Sequence, residues 1–259
     1  MCKECGCGFA GEGDSSHAHD HSHEPSGLAS PHEHEHGTSA LALGRSLLEK
    51  NDRLAERNRG FFHAKQLLVL NVVSSPGSGK TTFLRETALQ LAGKLRVGVI
   101  VGDLATDNDA AALRSAGIPV VQITTGTVCH LDAEMVSKAA SQLDLGQVDV
   151  LFIENVGNLV CPADYDLGED LRVVLLSTTE GEDKPLKYPP LFHSAHIAIV
   201  TKMDLASPAG FDRNKASSNL RRISHHARIF EVSAKTGEGM EVWRDFLLSQ
   251  REQKIPKHT

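Results

Sequence analysis

The sequence predicts an α/β chain: a mostly parallel sheet flanked by helices on both faces, with a disordered metal-binding tail in front. Three observations carry this. Short apolar runs rich in β-branched residues alternate with helix-period segments from residue 67 onward, the pattern of strands covered on both faces. The first run, Leu67 to Val73, ends abruptly in Ser74-Ser75-Pro76-Gly77-Ser78-Gly79 before Lys80-Thr81-Thr82 open a helix. Residues 1–37 are Gly, Ser, His and acid with almost no aliphatic side chain, so they cannot bury a core of their own.

The 259 residues divide accordingly into a Cys/His-rich tail (1–37), an N-terminal helical segment (38–63) and a sheet domain (64–259). A net charge of −6 with no basic stripe argues against a nucleic-acid surface. No apolar run approaches the roughly 18 residues of a membrane span. Met1-Cys2-Lys3-Glu4-Cys5 leads into no hydrophobic segment, so no secretory signal is expected and the expected compartment is cytoplasmic. In that compartment the five cysteines are better read as thiolate ligands than as disulfides.

In the tail, Cys2, Cys5 and Cys7 are spaced so that three sulfurs can converge on one ion, Zn²⁺ or a square-planar Ni²⁺. His17, His19, His21, His23, His32, His34 and His36 are half of the chain's 14 histidines, and a flexible imidazole tract of this kind gathers Ni²⁺, Zn²⁺ or Cu²⁺. From Ser39 to Asn58, Leu41, Leu43, Leu47, Leu48 and Leu54 recur at near-helical spacing, and Phe61-Phe62 are expected to anchor the chain before the first strand.

Residues 67–82 read as strand, phosphate loop, helix. Pro76, Gly77, Ser78 and Gly79 can turn their backbone inward around phosphate oxygens, and the helix opening at Lys80 adds its positive end. Lys80 would reach the β- and γ-phosphates, the Thr81 hydroxyl would bind Mg²⁺, and Thr82 completes the motif. Where the usual motif begins with Gly, this chain has Ser74. A second strand, Arg96 to Gly102, runs into Asp103 and Asp107, acids at a strand's carboxyl end where they would join the Mg²⁺ shell or orient the attacking water. A strand at 118–123 leads to Cys129-His130, with a helix expected over 132–143. The strand Val148 to Ile153 ends in Glu154-Asn155-Val156-Gly157-Asn158-Leu159-Val160-Cys161. This is an acid-x-x-Gly stretch whose acid and Gly157 amide would sense the γ-phosphate. Movement of that loop would carry a thiol with it. The cysteines at 129 and 161 are expected in exposed loops.

After the strand Leu171 to Ser177 comes a charged loop, Thr179 to Pro189, holding Lys184 and Lys187. The strand 195–200 runs into Thr201-Lys202-Met203-Asp204. The Asp204 carboxylate would accept two hydrogen bonds from guanine N1–H and its amine while the Lys202 stem packs on the base; adenine would leave Asp204 unpaired, at about 2 kcal/mol. The last strand, Arg228 to Val232, ends in Ser233-Ala234-Lys235, a second base loop, and a helix over 241–252 closes the domain. The boxes stand in GTPase order and together imply binding of GTP and GDP.

These motifs closely resemble the HypB family of hydrogenase nickel-incorporation GTPases, of the SIMIBI class. The resemblance covers the Cys-x-x-Cys-Gly-Cys head, the His tract, Asn51-Asp52, SSPGSGKTT, the Cys-His dipeptide, ENVGNLVCP and TKMDL. It implies a homodimerising GTPase that delivers Ni²⁺ during [NiFe]-hydrogenase maturation, with maturation proteins and the hydrogenase large subunit as partners. It also implies a metal site of Cys129, His130 and Cys161 at the dimer interface, and a Lys184 that reaches the partner's nucleotide in trans. Intrinsic turnover is expected to be slow, since no water-activating glutamine follows ENVG. The rival readings are a nickel or zinc store, or a metallochaperone for urease or a cobalamin enzyme.

Overall fold

The computed structural model describes residues 36–254, with side chains from residue 44 onward. Cys2, Cys5, Cys7 and the His tract up to residue 35 lie outside the described residues. The strands are β1 (Leu68–Val73), β2 (Val97–Asp103), β3 (Val120–Thr124), β4 (Val150–Glu154), β5 (Leu171–Ser177), β6 (Ile197–Thr201) and β7 (Arg228–Glu231). They form one seven-stranded sheet in the order β3-β2-β4-β1-β5-β6-β7. Every pairing is parallel, so the sheet is more uniform than expected. The helices are α1 (His36–Ala64), α2 (Lys80–Leu91), α3 (Asn108–Ser115), α4 (Ala133–Ala140), α5 (Lys184–Lys187), α6 (Pro189–His193), α7 (Arg213–Ile223) and α8 (Met240–Lys254).

Because β1 is central, its side chains alternate between two cores. Leu68, Leu70 and Val72 pack with Phe83, Leu84 and Leu91 of α2, Leu113 of α3 and Trp243 and Leu247 of α8. Leu67, Val69, Ile100 and Leu151 face Phe62 of α1 and Val136 and Ala139 of α4. Val174, Leu176 and Val200 continue that second face under Leu191, Phe192, Ala216 and Leu220 of α6 and α7. A continuously apolar strand buried on both sides is what this double cover requires.

Several elements differ from the sequence expectation. The first helix does not stop at Asn58 but continues through Phe61 and Phe62, and it is the 1% exposed Phe62 that docks it on the sheet. Asn51 and Asn58 hold α1 in place: Asn51 Nδ2 donates to the Asp166 carbonyl (2.8 Å) and its Oδ1 accepts from Ala133 N–H (2.9 Å). Asn58 Nδ2 donates to the Ala133 (2.8 Å) and Leu167 (3.1 Å) carbonyls. The helix expected over 132–143 is shorter, because the Asp132 side chain caps it by accepting from Met135 N–H (2.7 Å) and it ends at Ala140. The charged Thr179 to Pro189 loop folds into the short α5 and leads into α6. Helices α3 and α7 were not expected: both are polar on average, and each buries only a short apolar face, Ala110 and Leu113 in one and Ala216 and Leu220 in the other.

At the amino end of the sheet Asp149 fastens three elements. Its carboxylate accepts from Arg96 N–H (2.8 Å), Arg96 Nε (3.0 Å) and Arg96 Nη2 (3.0 Å), with Arg251 of α8 at 3.5 Å. The Arg96 bonds hold the Asp149 pKa down at about 2. A depressed acid contributes stability above its unfolded pKa and loses it as pH falls through the folded one. The Asp149 contribution is therefore complete above pH 4 and vanishes towards pH 2. Asp149→Asn should cost about 1 kcal/mol at neutral pH, the pair being partly exposed. In urea titrations the gap between variant and parent should close as pH is lowered from 4 to 2; a gap independent of pH would contradict the assignment.

Candidate nucleotide and metal site

The strand order turns back on itself at β1, and the loops following β1, β2, β4, β5 and β6 meet at its carboxyl end, where an open α/β sheet leaves a crevice. Gly79, the residue before α2, has φ +93, a left-handed conformation that glycine adopts without strain. This points the first amides of α2 at the crevice. Lys80 lies over the loop with Nζ donating to Ser74 Oγ (3.0 Å), and Ser74 Oγ donates in turn to the Ser75 carbonyl (2.8 Å). Serine in place of the motif's first glycine therefore gives the lysine an additional acceptor. Burial lowers the Lys80 pKa, against the pull of Glu154.

The base side is equally defined. Thr82, Phe83, Lys202, Asp204, Ala234 and Lys235 line one pocket beside Ser78 and Gly79. Lys202 adopts φ +59, which swings its side chain over the phosphate loop so that Nζ donates to the Gly77 carbonyl (2.7 Å). Ser233 Oγ donates to Asp204 Oδ1 (2.7 Å), fixing the carboxylate at the pocket's end. The TKMD and SAK boxes thus come together on one ligand-sized hollow.

Glu154 ends β4 and is 2% exposed. Its Oε1 accepts from Thr81 Oγ1 (2.8 Å), while Oε2 is buried and has no hydrogen-bond partner among the described residues. Burial pushes its pKa up to about 7, against the attraction of Lys80. A carboxylate oxygen left without a donor beside a threonine hydroxyl is an oxygen set suited to a hard divalent cation. Gly157 follows at close approach: a Cβ there would lie 3.1 Å from Pro76 Cα, so a side chain would press the loop a few tenths of an ångström away from the phosphate loop.

The same loop reaches the thiols. Cys129 Sγ and Cys161 Sγ lie 2.8 Å apart, and with a His130 ring nitrogen they form a donor set within 4.8 Å. His130 and Cys161 are 7% exposed, so these side chains are buried although the loops that carry them keep exposed residues such as Thr127 and Val160. The His130 ring stacks on Tyr165 (centroids 3.8 Å), its Nδ1 makes no hydrogen bond, and burial lowers its pKa, keeping a neutral ring available as a ligand.

Asp103 and Asp107 are engaged locally. Asp103 Oδ2 accepts from Thr106 N–H (2.9 Å) and from its hydroxyl. Those bonds outweigh burial and hold its pKa low. Asp107 pairs with Arg114 (2.9 Å) and faces solvent. Lys187 pairs with Asp183 (2.6 Å), whereas Lys184 Nζ lies 5.4 Å over the Tyr188 ring.

Sequence reasoning missed Glu180, whose Oε2 accepts from Ser75 Oγ (3.1 Å) beside the phosphate loop. It also missed a buried polar network beneath the thiol loop. Asn155 Nδ2 donates to Asn71 Oδ1 (3.3 Å), Asn71 Nδ2 to Glu169 Oε1 (3.1 Å), and Arg172 Nε to Glu169 Oε1 (3.0 Å). Arg172 also donates to the Ala163 (3.0 Å) and Tyr165 (2.8 Å) carbonyls. The only sequence signal was Asn71, a polar residue within an apolar strand.

The model of a CobW/HypB/UreG nucleotide-binding domain matches residues 68–231. The hydrogenase maturation factor HypB of Escherichia coli K12 is 52% identical over 205 residues, covering 79% of this chain and 71% of that protein. The chain belongs to the HypB family. A crystal structure of HypB from Helicobacter pylori in complex with nickel is 40% identical with a TM-score of 0.76, covering 81% of this chain and 99% of that one. A hydrogenase/urease maturation factor HypB from Helicobacter hepaticus is 42% identical over 216 residues, covering 82% of this chain and 88% of that protein. As a HypB-family chain it carries a nucleotide-binding domain of the phosphate-loop GTPase type, and its fold matches that of the nickel-bound Helicobacter pylori structure.

Arg172 and Glu169 are 7% and 6% exposed and anchor the loop just past Cys161. Replacing Arg172 with Met leaves the Glu169 carboxylate buried without its cation and should cost about 3 kcal/mol or more in thermal or urea unfolding. A loss below 1 kcal/mol would mean that Asn71 and the Leu167 amide suffice for Glu169.

Proposed function

We propose that this chain is a GTP-hydrolysing nickel metallochaperone that binds Ni²⁺ as cargo and delivers it during [NiFe]-hydrogenase maturation. Its nucleotide state would control both dimerisation and metal affinity. The observation that supports this best is one short loop with two ends: Glu154 bonded to Thr81 at the phosphate loop, and Cys161 against Cys129 at the thiol site.

In this reading Lys80 and the backbone N–H groups of residues 77–82, with Pro76 shaping the turn, hold the β- and γ-phosphates, and Asp204, Lys202, Ser233, Ala234 and Lys235 hold guanine. Water attacks the γ-phosphorus, the bond to the β-phosphate oxygen breaks, and GDP and phosphate result. Mg²⁺, when bound by Thr81 with Glu154 and Asp103, supplies charge neutralisation at the phosphates. Lys80 offsets the same charge from the protein side, and Gly157 N–H reports the γ-phosphate. Asp107 would have to release Arg114 to orient water, so it ranks behind Glu154 and Asp103 in that role. Of the two lysines in the charged segment, Lys187 is paired with Asp183, whereas Lys184 has no ion pair among the described residues, which favours Lys184 as the residue offered to the partner's nucleotide in a GTP-dependent homodimer.

Cys129, His130 and Cys161 are the donors for Ni²⁺, with Zn²⁺ as a competitor for the same thiolates and imidazole. Cys2, Cys5, Cys7 and the His tract would gather metal upstream. Maturation proteins and the hydrogenase large subunit are the proposed partners, in the cytoplasm. No helix among the described residues is long and apolar enough to cross a membrane. The urease/hydrogenase name of one relative keeps urease as a second client.

Two measurements test this. Asp204→Asn should weaken GDP binding by about 2 kcal/mol while raising the relative affinity for xanthosine diphosphate, whose C2 carbonyl suits an amide donor; calorimetry that finds GDP binding unchanged would remove Asp204 from the base site. For the metal, a full-length Cys2/Cys5/Cys7→Ser variant leaves Cys129 and Cys161 as its only thiols, so nickel–thiolate charge-transfer absorption reports that site alone. Nickel affinity should differ between the GDP form and a form holding a non-hydrolysable GTP analogue. Equal affinities would end the gating idea and favour a metal store.

A further inference from the structure

Building on the nucleotide-gated nickel reading above, we infer that Asn155 and Asn158 are positioning residues. They clamp the Cys129–His130–Leu131 segment to the acid-x-x-Gly loop, so that the nucleotide-dependent position of the loop is imposed on two of the three metal donors.

The clamp is visible as two side-chain bonds on either side of His130. Asn155 Oδ1 accepts from Leu131 N–H (3.2 Å), and Asn158 Nδ2 donates to the Cys129 carbonyl (3.3 Å). The segment they hold lies between the end of β3 at Thr124 and the start of α4 at Ala133, outside any helix or strand. Asn155 is 1% exposed, and an amide side chain buried in this way is kept for the bonds it makes.

Asn155 Oδ1 also accepts from Val156 N–H (2.9 Å). One oxygen is therefore shared between the peptide leading to Gly157 and the peptide following His130. A displacement of the Val156-Gly157 peptide towards a γ-phosphate changes the bond that Leu131 makes to the same atom. Cys161 is secured differently. Just beyond it, Arg172 of β5 binds the Ala163 and Tyr165 carbonyls, tying that end of the loop to the sheet. Two donors thus follow the moving part of the loop while the third is tethered to a rigid strand. Loop movement then alters the distance between them, which is what a change in metal affinity requires.

The test uses the same full-length Cys2/Cys5/Cys7→Ser parent and the nickel–thiolate absorption, titrated in the GDP and GTP-analogue states. The parent should show an affinity ratio of about fivefold or more, the range of ordinary inter-site coupling. Asn155→Ala should bring the ratio close to one, and the less buried Asn158→Ala should lower it part of the way. Asn71→Ala is the control: it removes the other partner of Asn155 and an equally buried amide, but leaves both bonds flanking His130 in place, and it should keep the parent's ratio. Retention of the full ratio in both Asn155→Ala and Asn158→Ala would overturn the clamp while leaving nickel gating intact. An equal loss in Asn71→Ala would overturn it too, by showing a general packing effect. A parent ratio of one would remove the gating reading and the clamp together.

Discussion

A carboxylate placed where it cannot be fully satisfied governs this structure. Glu154 is carried by the central sheet to the crevice, buried, and given one hydroxyl donor for one of its two oxygens. Its raised pKa measures the cost of that placement. A group of this kind is tolerated because something else completes it. A cation or a phosphate-bound water arriving from the crevice would do so, and the backbone immediately after Glu154 would respond first. That backbone is the Asn155–Cys161 loop, so the least satisfied atom of the site and the thiol lie on one continuous stretch.

The sheet makes this economical. Strands β4 and β1 are neighbours in register, Val72 beside Glu154, so the phosphate loop after β1 and the acid loop after β4 leave the sheet side by side. Gly157 then packs closely on Pro76, where a Cβ would lie 3.1 Å from the Pro76 backbone. Helix α1 meets the segments flanking the thiol site, where Asn51 and Asn58 bind the backbone around Ala133 and Leu167. An N-terminal helix outside the sheet domain is thereby part of the scaffold of the thiol site.

Much of this was legible in the sequence because it depends on local chemistry. A glycine-rich turn between strand and helix, an acid after a buried strand, and a Lys-x-Asp after another each imply their place at the carboxyl end of a parallel sheet. The extent of α1, the short helices α5 and α6, and the polar α7 were not legible, since tertiary packing rather than periodicity decides them. The burial of His130 and Cys161 was misjudged for a related reason. Loop residues read as exposed, but α1 and Tyr165 cover this loop. The asparagines were in plain view within ENVGN, yet a neutral amide has no meaning in a sequence until its partners across 24 to 84 residues are known.

The donor count also bears on exchange of the ion. Structural zinc sites are closed by four ligands, and an open position is what lets an ion exchange. Cys129, His130 and Cys161 bring three donor atoms within 4.8 Å of one another, so an ion held there as proposed would keep a position for a further ligand. Such a site would hold an ion less tightly than a closed one, and a small change in donor spacing would favour its release. In the proposed function linkage would run both ways: whatever free energy the nucleotide state contributed to nickel binding, nickel would return to nucleotide binding. A loop joined to the phosphate loop and to the thiol segment through hydrogen-bonded side chains, rather than through a flexible linker, would be the physical means of carrying that reciprocity across the crevice.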